Sequence, residues 1–126
     1  MNENSLSKII VDAAVEVHRT LGGPGLLESV YRDSLAFELH GRGIDVDCEI
    51  PVPVIYKGHN IRCPLRLDLL AGGLVIMECK AVNTYQVIFE SQLLTYLRLT
   101  GLKLGLVINF GERLVKNGIH RVVNGL

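Results

Sequence analysis

Three charged side chains interrupt two otherwise apolar segments in the stretch "LRLDLLAGGLVIMECKAV", residues 65–82. Asp68 lies in the first segment, and Glu78 and Lys80 lie in the second. Charged side chains are rarely buried unless they are paired or bind a ligand. Carboxylates such as Asp68 and Glu78 suit Mg²⁺ or Mn²⁺, and the backbone carbonyl of Cys79 would add a further oxygen ligand. The pattern therefore predicts a metal site that activates a water molecule, with Lys80 orienting the water or offsetting negative charge.

The same residues also fit a purely structural interpretation, a buried ion pair of Lys80 with Glu78 or Asp68, because the D-x9-E-x-K spacing is loose and occurs by chance. The register of the predicted hairpin separates the two hypotheses. Glu78 and Lys80 share one face of a strand. A two-residue Gly72-Gly73 loop would put Asp68 on the other face, whereas a three-residue loop or a bulge would bring it to theirs. The metal-site hypothesis therefore requires an odd-length loop or a bulge.

Polar residues elsewhere could join this site. Gln92 and Tyr96 in "FESQLLTYLRLTG" are four apart, and so they lie on the same face of a helix. Glu28 in "GPGLLESVY" lies in the first turns of a predicted helix. Each has an ordinary alternative, since Gln92 could be a solvated helix residue and an acid is favoured near any helix N-terminus by the dipole.

Apolar residues at helical spacing predict the helices that position these residues. The first pattern covers residues 6–21 and ends at "GGPG". The second covers residues 27–39 and places Leu27, Val30, Tyr31 and Leu35 on one apolar stripe, which Leu39 continues. A third helix is predicted from about residue 87 to residue 100, where Gly101 would cap it.

The intervening segments predict strands, because they are short, rich in Val, Ile and Tyr, and broken at Gly or Pro. Pro51 and Pro53 predict that the first strand is an edge strand or irregular. "KLGLVINF" has the continuous apolar character of a fully buried strand, and "GIHRVVN" predicts a short last strand. The predicted order is ααβββαββ, an α/β (α+β) fold with a central sheet flanked by helices.

Composition predicts one globular domain, residues 1–126, with 48% apolar and 21% charged residues and no net charge. The charge is uneven: residues 1–50 hold nine acids and four bases, and residues 98–126 hold five bases and one acid. This distribution does not predict tight non-specific binding of nucleic acid, but it allows a local basic surface on the C-terminal third.

The cysteines, Cys48, Cys63 and Cys79, are far apart and contain no CxxC pair, so we expect reduced thiols rather than a zinc or iron–sulfur site. The N-terminus does not have the pattern of a signal peptide, and no apolar run reaches membrane-spanning length. We therefore expect a soluble protein in the cytoplasm.

Several motifs together resemble one known family. "GLLESVY" matches a Gly-x-x-Glu-x-x-Tyr signature through Gly25, Glu28 and Tyr31, and "LRLDLL", "VIMECKAV", "SQLLTYLRLTGLKLGLVINF" and "GIHRVVN" follow in the expected order. The chain resembles the GxxExxY proteins of the PD-(D/E)XK nuclease superfamily over residues 6–124. The resemblance implies a restriction-endonuclease-like core with a mixed central sheet and one metal-dependent site.

The resemblance also implies roles for individual residues. Asp68, Glu78 and Lys80 match the catalytic D…(D/E)xK triad of the superfamily. Glu28 matches an acid on its early helix, and Gln92 matches a glutamine that is often found on the helix after the triad.

The chain departs from the family pattern at two positions. Cys79 replaces an aliphatic residue, a conservative change because its side chain is expected to face away from the site. Phe89 stands where many relatives have a histidine, three residues before the glutamine.

These observations favour a Mg²⁺-dependent (or Mn²⁺-dependent) phosphodiesterase that hydrolyses DNA or RNA. Cutting both strands of a duplex would favour a homodimer, joined through an apolar helix face or an edge strand. One alternative is a non-catalytic nucleic-acid-binding or protein-interaction module that retains the nuclease fold. Another is hydrolysis of a small phosphoester, which ranks last because "GGPGLLES" lacks the Lys-Ser/Thr of a phosphate-binding loop.

Overall fold

The helices and strands of the chain follow the predicted order ααβββαββ. The computed structural model describes the backbone of residues 1–126 and the side chains of residues 1–62 and 65–126. The helices are α1 (Glu3–Thr20), α2 (Glu28–Gly41) and α3 (Ile88–Thr100), with a short 3-10 helix, η1 (Val115–Gly118). The strands are β1 (Val46–Tyr56), β2 (His59–Ala71), β3 (Val75–Lys80), β4 (Leu104–Asn109) and β5 (Ile119–Val123).

The strands form one mixed sheet in the order β1-β2-β3-β4-β5. Only β3 and β4 are parallel, and the chain between them forms α3, because a parallel pair needs a long crossover connection. Every residue of β4 is buried, which confirms the prediction from its continuous apolar sequence.

Each face of the sheet carries its own apolar cluster. Val75, Met77 and Cys79 of β3 pack with α1 and α2, whereas Ile76 packs with Leu93 of α3 on the other face. Alternation along the strand therefore places Glu78 and Lys80 on the α3 side and the Cys79 side chain away from them, as predicted.

The helix ends have clear local causes. Asn2 and Ser5 form a capping box at the start of α1, in which the Ser5 N–H donates to Asn2 Oδ1 (2.8 Å) and the Asn2 N–H donates to Ser5 Oγ (3.1 Å). Gly101 ends α3 in the left-handed conformation with φ of 74°, as predicted.

The predicted apolar stripe of α2 is wrong at its beginning. Leu27 is the N-cap residue and is 73% exposed, and Val30 in the first turn is 38% exposed. The buried positions of α2 are Tyr31, Leu35, Ala36 and Leu39. The first turn lies beyond the edge of the core, so the apolar spacing there does not indicate burial.

The prediction for the first strand is confirmed. β1 is an edge strand of the sheet, and its register with β2 shifts between Val52 and Val54, at Pro53. Proline has no N–H to donate to a ladder, so an irregular edge strand tolerates it best.

The described cysteines, Cys48 and Cys79, are free thiols. Cys79 is fully buried, and burial raises the pKa of its thiol. The prediction for Cys63 lies outside the described side chains.

Candidate active site

Strands β2 and β3 separate at Asp68 and Glu78, and we call this point of the sheet the fork. β2 pairs with β3 only through Leu69↔Met77, Leu70↔Ile76 and Ala71↔Val75. Towards Asp68 and beyond, β2 continues along β1, while β3 from Glu78 onward continues along β4. Asp68 and Glu78 therefore lie where the two strands separate.

The hairpin has the odd-length loop that the metal-site hypothesis requires. The last paired residues are Ala71 and Val75, so the loop contains three residues, Gly72, Gly73 and Leu74. Gly72 and Gly73 have φ of 58° and 68°, a conformation that favours glycine. The next pair in this register, beyond Leu69 and Met77, would be Asp68 opposite Glu78.

The Asp68 carboxylate bridges the fork. Its Oδ2 accepts a hydrogen bond from the Cys79 N–H at 2.9 Å, in place of a strand-to-strand bond. This contact fixes Asp68 against the backbone between Glu78 and Lys80.

Glu78 is only 7% exposed, and its Oε1 has no hydrogen-bond partner among the described groups. Burial, together with the charge of Asp68 and a hydrogen bond to it, raises the pKa of Glu78 to about 9, against the opposing effect of Lys80. The carboxyl is therefore neutral at pH 7 unless a cation takes the place of its proton.

Lys80 is the positive group of the site. Its Nζ lies 4.6 Å from the centre of the Phe89 ring, within the range of a cation–π contact. Phe89, three residues before Gln92, therefore contacts Lys80 directly. An aromatic cluster continues from there, since Tyr85 packs edge-on to Phe89 (5.5 Å) and stacks on His120 (3.8 Å).

Two residues of α3 face the site to different extents. Burial raises the pKa of Tyr96, and the negative charges of Glu78 and Asp68 raise it further. Gln92 lies one helical turn before Tyr96 and one turn after Phe89, and it is exposed. Its side chain is therefore accessible to solvent on the face of α3 that it shares with Tyr96.

Glu28 approaches the site from the start of α2. The residue as a whole is exposed, but partial burial of its carboxyl group raises its pKa. The positive charge of Lys80 lowers this pKa, and the negative charge of Asp68 raises it. Tyr31, one turn later, is fully buried, donates to the Gly23 carbonyl (2.7 Å) and accepts from the Leu26 N–H (3.2 Å). The tyrosine therefore anchors the loop that leads to Glu28.

Two residues near the site were not predicted. Arg32, one turn after Glu28, pairs with Asp33 (3.1 Å) and Glu49 (3.1 Å) and lowers the pKa of Glu28. The sequence signal for Arg32 was its position four residues after Glu28, which places the two residues on the same face of a helix.

The second is Asn109, a polar residue at the end of an apolar strand. It is fully buried, its Oδ1 accepts from the N–H groups of Val82 and Gly111 (both 3.0 Å), and its Nδ2 donates to the Val82 carbonyl (3.1 Å). Its position in the buried strand was the signal, because a buried polar side chain needs partners.

The donor set at the fork consists of oxygen atoms. In the part of the chain whose side chains are described, no three His, Cys, Asp or Glu side chains are grouped closely enough to hold a metal ion by themselves. Two facing carboxyl groups, one with a buried oxygen that lacks a partner, nevertheless fit a divalent cation completed by backbone oxygen or water.

A family model for the PD-(D/E)XK nuclease superfamily matches residues 4–122, nearly the whole chain. The chain belongs to the PD-(D/E)XK nuclease superfamily. Its mixed sheet with flanking helices is consistent with the restriction-endonuclease-like fold of this superfamily. Membership supports a nuclease-type function on nucleic acid, and nucleases of this superfamily generally use divalent metals.

Comparisons with curated proteins and with solved structures gave no match. Among the described residues, no helix is both long and apolar enough to cross a membrane.

Proposed function

We propose that this chain is a Mg²⁺- or Mn²⁺-dependent phosphodiesterase that hydrolyses DNA or RNA. The observation that carries the proposal is the buried Glu78 carboxyl, whose Oε1 has no described partner and which faces the Asp68 carboxylate. A buried polar atom without a partner is costly, and ionising Glu78 next to the Asp68 carboxylate costs further free energy. A divalent cation between them would relieve both costs.

The ligands would come from the fork. Asp68, Glu78 and the backbone carbonyl of Cys79 would hold the cation, and Glu28 would join them directly or through water. These are hard oxygen donors, which suit Mg²⁺ and Mn²⁺. When bound, such a cation supplies positive charge that activates water and stabilises the phosphoryl group during hydrolysis.

The remaining side chains of the site orient the water or the substrate and neutralise negative charge. The Lys80 ammonium, held against Phe89, orients the attacking water and offsets the negative charge that develops on the phosphate. Gln92, exposed on the same face of α3 as Tyr96, orients the water or the substrate.

Within the superfamily, we assign the chain to the GxxExxY proteins and treat residues 1–126 as a single nuclease-like domain. Gly25 has φ of 116°, Tyr31 holds the loop, and Glu28 approaches Lys80, which gives each signature residue a local role. We further propose a cytoplasmic location, which the free Cys48 and Cys79 support, and a homodimer for cutting both strands of a duplex.

The test is cleavage of end-labelled single- and double-stranded DNA and RNA in Mg²⁺, Mn²⁺ or EDTA. We expect cleavage by the wild-type protein that requires metal. We expect Lys80→Ala to lower the rate by about a hundredfold or more, as for loss of a group that stabilises transition-state charge. Lys8→Ala, which removes an exposed lysine on α1, is the matched control and should cleave like the wild type.

Circular dichroism would show that each variant is folded. Cleavage in EDTA, or an undiminished rate in folded Lys80→Ala, would rule out this mechanism. The absence of a three-carboxylate group among the described side chains favours a second candidate, a non-catalytic nucleic-acid-binding module. Folded wild-type protein that binds nucleic acid but cleaves none of the substrates with either metal would support that candidate.

A further inference from the structure

The β1–β2 hairpin continues past the fork as a two-stranded ribbon, residues 50–67. Its pairing runs from Ile50↔Leu67 to Tyr56↔His59, whereas the pairing of β2 with β3 stops at Leu69. The base of the ribbon is anchored in the core, since Val52 and Leu67 are buried in the α3 cluster. The outer part of the ribbon extends into solvent.

The ribbon carries unneutralised positive charge. Residues 50–67 contain Lys57, Arg62 and Arg66, together with His59, and contain no Asp or Glu. All four side chains are exposed. None of them forms a salt bridge with a carboxyl group in the described part of the chain, unlike Arg19, Arg32 and Arg42. Such a surface attracts a polyanion.

Both arginines of the ribbon lie next to Pro51. Arg66 is paired with Pro51, and Arg62 borders a shallow hollow with Pro51, Pro53, Asn60 and Ile61. Apolar residues at the base of the ribbon join the core. The exposed charged side chains are therefore free to contact a partner while the base anchors the ribbon.

We propose that the ribbon docks in the major groove of double-stranded DNA. The proposal rests on the proposed function and names its substrate class. A two-stranded antiparallel ribbon fits the major groove of B-form DNA, whereas the major groove of A-form RNA is too narrow for side chains to read. Arg66 lies two residues from Asp68 on the same strand, about 7 Å away along it. A duplex held by the ribbon is therefore adjacent to the site at the fork.

A second copy of the chain is the competing occupant of this surface. The tip exposes apolar side chains, with Ile55 61%, Tyr56 60% and Ile61 41% exposed, which could pair in a dimer. Two such ribbons, however, would bring six formal positive charges together without an acid between them. This repulsion favours DNA, whose phosphates complement the same charges.

The test is DNA affinity by fluorescence anisotropy in EDTA, which separates binding from cleavage. The ribbon variant is Lys57→Gln/Arg62→Gln/Arg66→Gln. The matched control is Lys103→Gln/Arg113→Gln/Lys116→Gln, which removes three exposed bases from the C-terminal third. We expect the ribbon variant to weaken binding of duplex DNA at least about tenfold and to lower the salt slope by about 0.9 for each lost phosphate contact. The control should retain the wild-type affinity, and duplex RNA should bind more weakly than DNA.

Circular dichroism checks folding, and the single variant Lys57→Gln at the tip gives a smaller loss without altering the base of the ribbon. Unchanged DNA affinity in the folded triple variant would overturn the proposal, as would equal affinity for duplex RNA. A ribbon variant that changes only the oligomeric state, measured by analytical ultracentrifugation, would assign the surface to self-association instead.

Cleavage assays on the same proteins separate this proposal from the proposed function. Metal-dependent cleavage of DNA that is unaffected in the ribbon variant would remove the ribbon from substrate binding and leave the nuclease in place. DNA binding that depends on the ribbon, without cleavage by the wild type, would leave the ribbon in place and remove the nuclease.

Discussion

The Glu78 side chain combines burial with a neighbouring carboxyl group. It is 7% exposed, its Oε1 has no described hydrogen-bond partner, and it faces Asp68. Burial and the negative neighbour both disfavour its charged form. A site of this kind is destabilising without a cation, so its presence in the core indicates a function other than stability.

Without metal, the Glu78→Gln variant should become more stable than the wild type as the pH rises. The pKa of Glu78 is about 9 in the folded chain, against an ordinary value of 4.5. Between these values the folded state binds more protons than the unfolded state, so the wild type loses stability as pH increases. The variant lacks this titration. We therefore expect the free energy of unfolding of Glu78→Gln to exceed that of the wild type by an amount that increases from pH 5 to pH 9. Urea denaturation in EDTA measures this difference.

Asp45→Asn, which neutralises an exposed acid at the start of the sheet, is the control for that experiment and should parallel the wild type. A constant difference between Glu78→Gln and the wild type across this pH range would contradict a raised pKa.

Phe89 supports Lys80 through its ring, 4.6 Å from Nζ. If Lys80 acts in hydrolysis as proposed, Phe89→Leu should reduce kcat between about twofold and thirtyfold, the range of a cation–π contact converted to rate. Phe89→Trp should retain activity because indole binds cations at least as well as benzene. Steady-state cleavage with Mg²⁺ is the measurement.

The control for Phe89 is Phe37→Leu, since Phe37 is 82% exposed on α2. A leucine variant as active as the wild type, or a tryptophan variant as impaired as the leucine one, would show that the ring does not position Lys80.

Among the elements, the connection that follows β3 is held to the end of β4. The Phe110 N–H donates to the Lys80 carbonyl (2.7 Å), and Asn109 makes hydrogen bonds to Val82. Gly111 lies against the same segment, where an added Cβ would lie 2.3 Å from the Val82 carbonyl oxygen. The backbone just beyond Lys80 is therefore fixed by the next strand.

Gly111→Ala should destabilise the protein by about 1–3 kcal/mol, because the backbone of Val82 would have to move. Gly41→Ala is the matched control: its Cβ would meet nothing within 4 Å, and alanine at this helix end should be neutral or stabilise by up to about 1 kcal/mol. Urea denaturation measures both. Equal changes in the free energy of unfolding for the two substitutions would show that Gly111 does not lie this close to the backbone of Val82.

For the whole molecule, metal binding and folding should be linked. A cation that binds only the folded chain at about 100 times its Kd raises the free energy of unfolding by about 2.7 kcal/mol. Mn²⁺ should therefore raise the melting temperature of the wild type and of Asp45→Asn, but not that of Glu78→Gln. The same glutamine variant should thus be more stable in EDTA and insensitive to Mn²⁺. A melting temperature of the wild type that Mn²⁺ leaves unchanged would indicate that the fork holds no metal.

The sequence by itself determined the order of the elements and the residues of the fork. Helical periodicity marked α1, the apolar run marked β4, and glycines marked the ends of helices and the hairpin loop. Asp68, Glu78 and Lys80 were conspicuous because charged residues are unexpected in such strands. These signals are local, so a single chain segment carries each of them.

Only the tertiary structure decided how these residues meet. The three-residue loop set Asp68 opposite Glu78, and the fork placed the Asp68 carboxylate on the Cys79 N–H. The approach of Glu28 and the contact of Phe89 with Lys80 depend on helices that lie on opposite faces of the sheet. The exposure of Leu27 was likewise decided by where α2 leaves the core. Such features arise from packing between distant segments, and periodicity along one segment does not specify them.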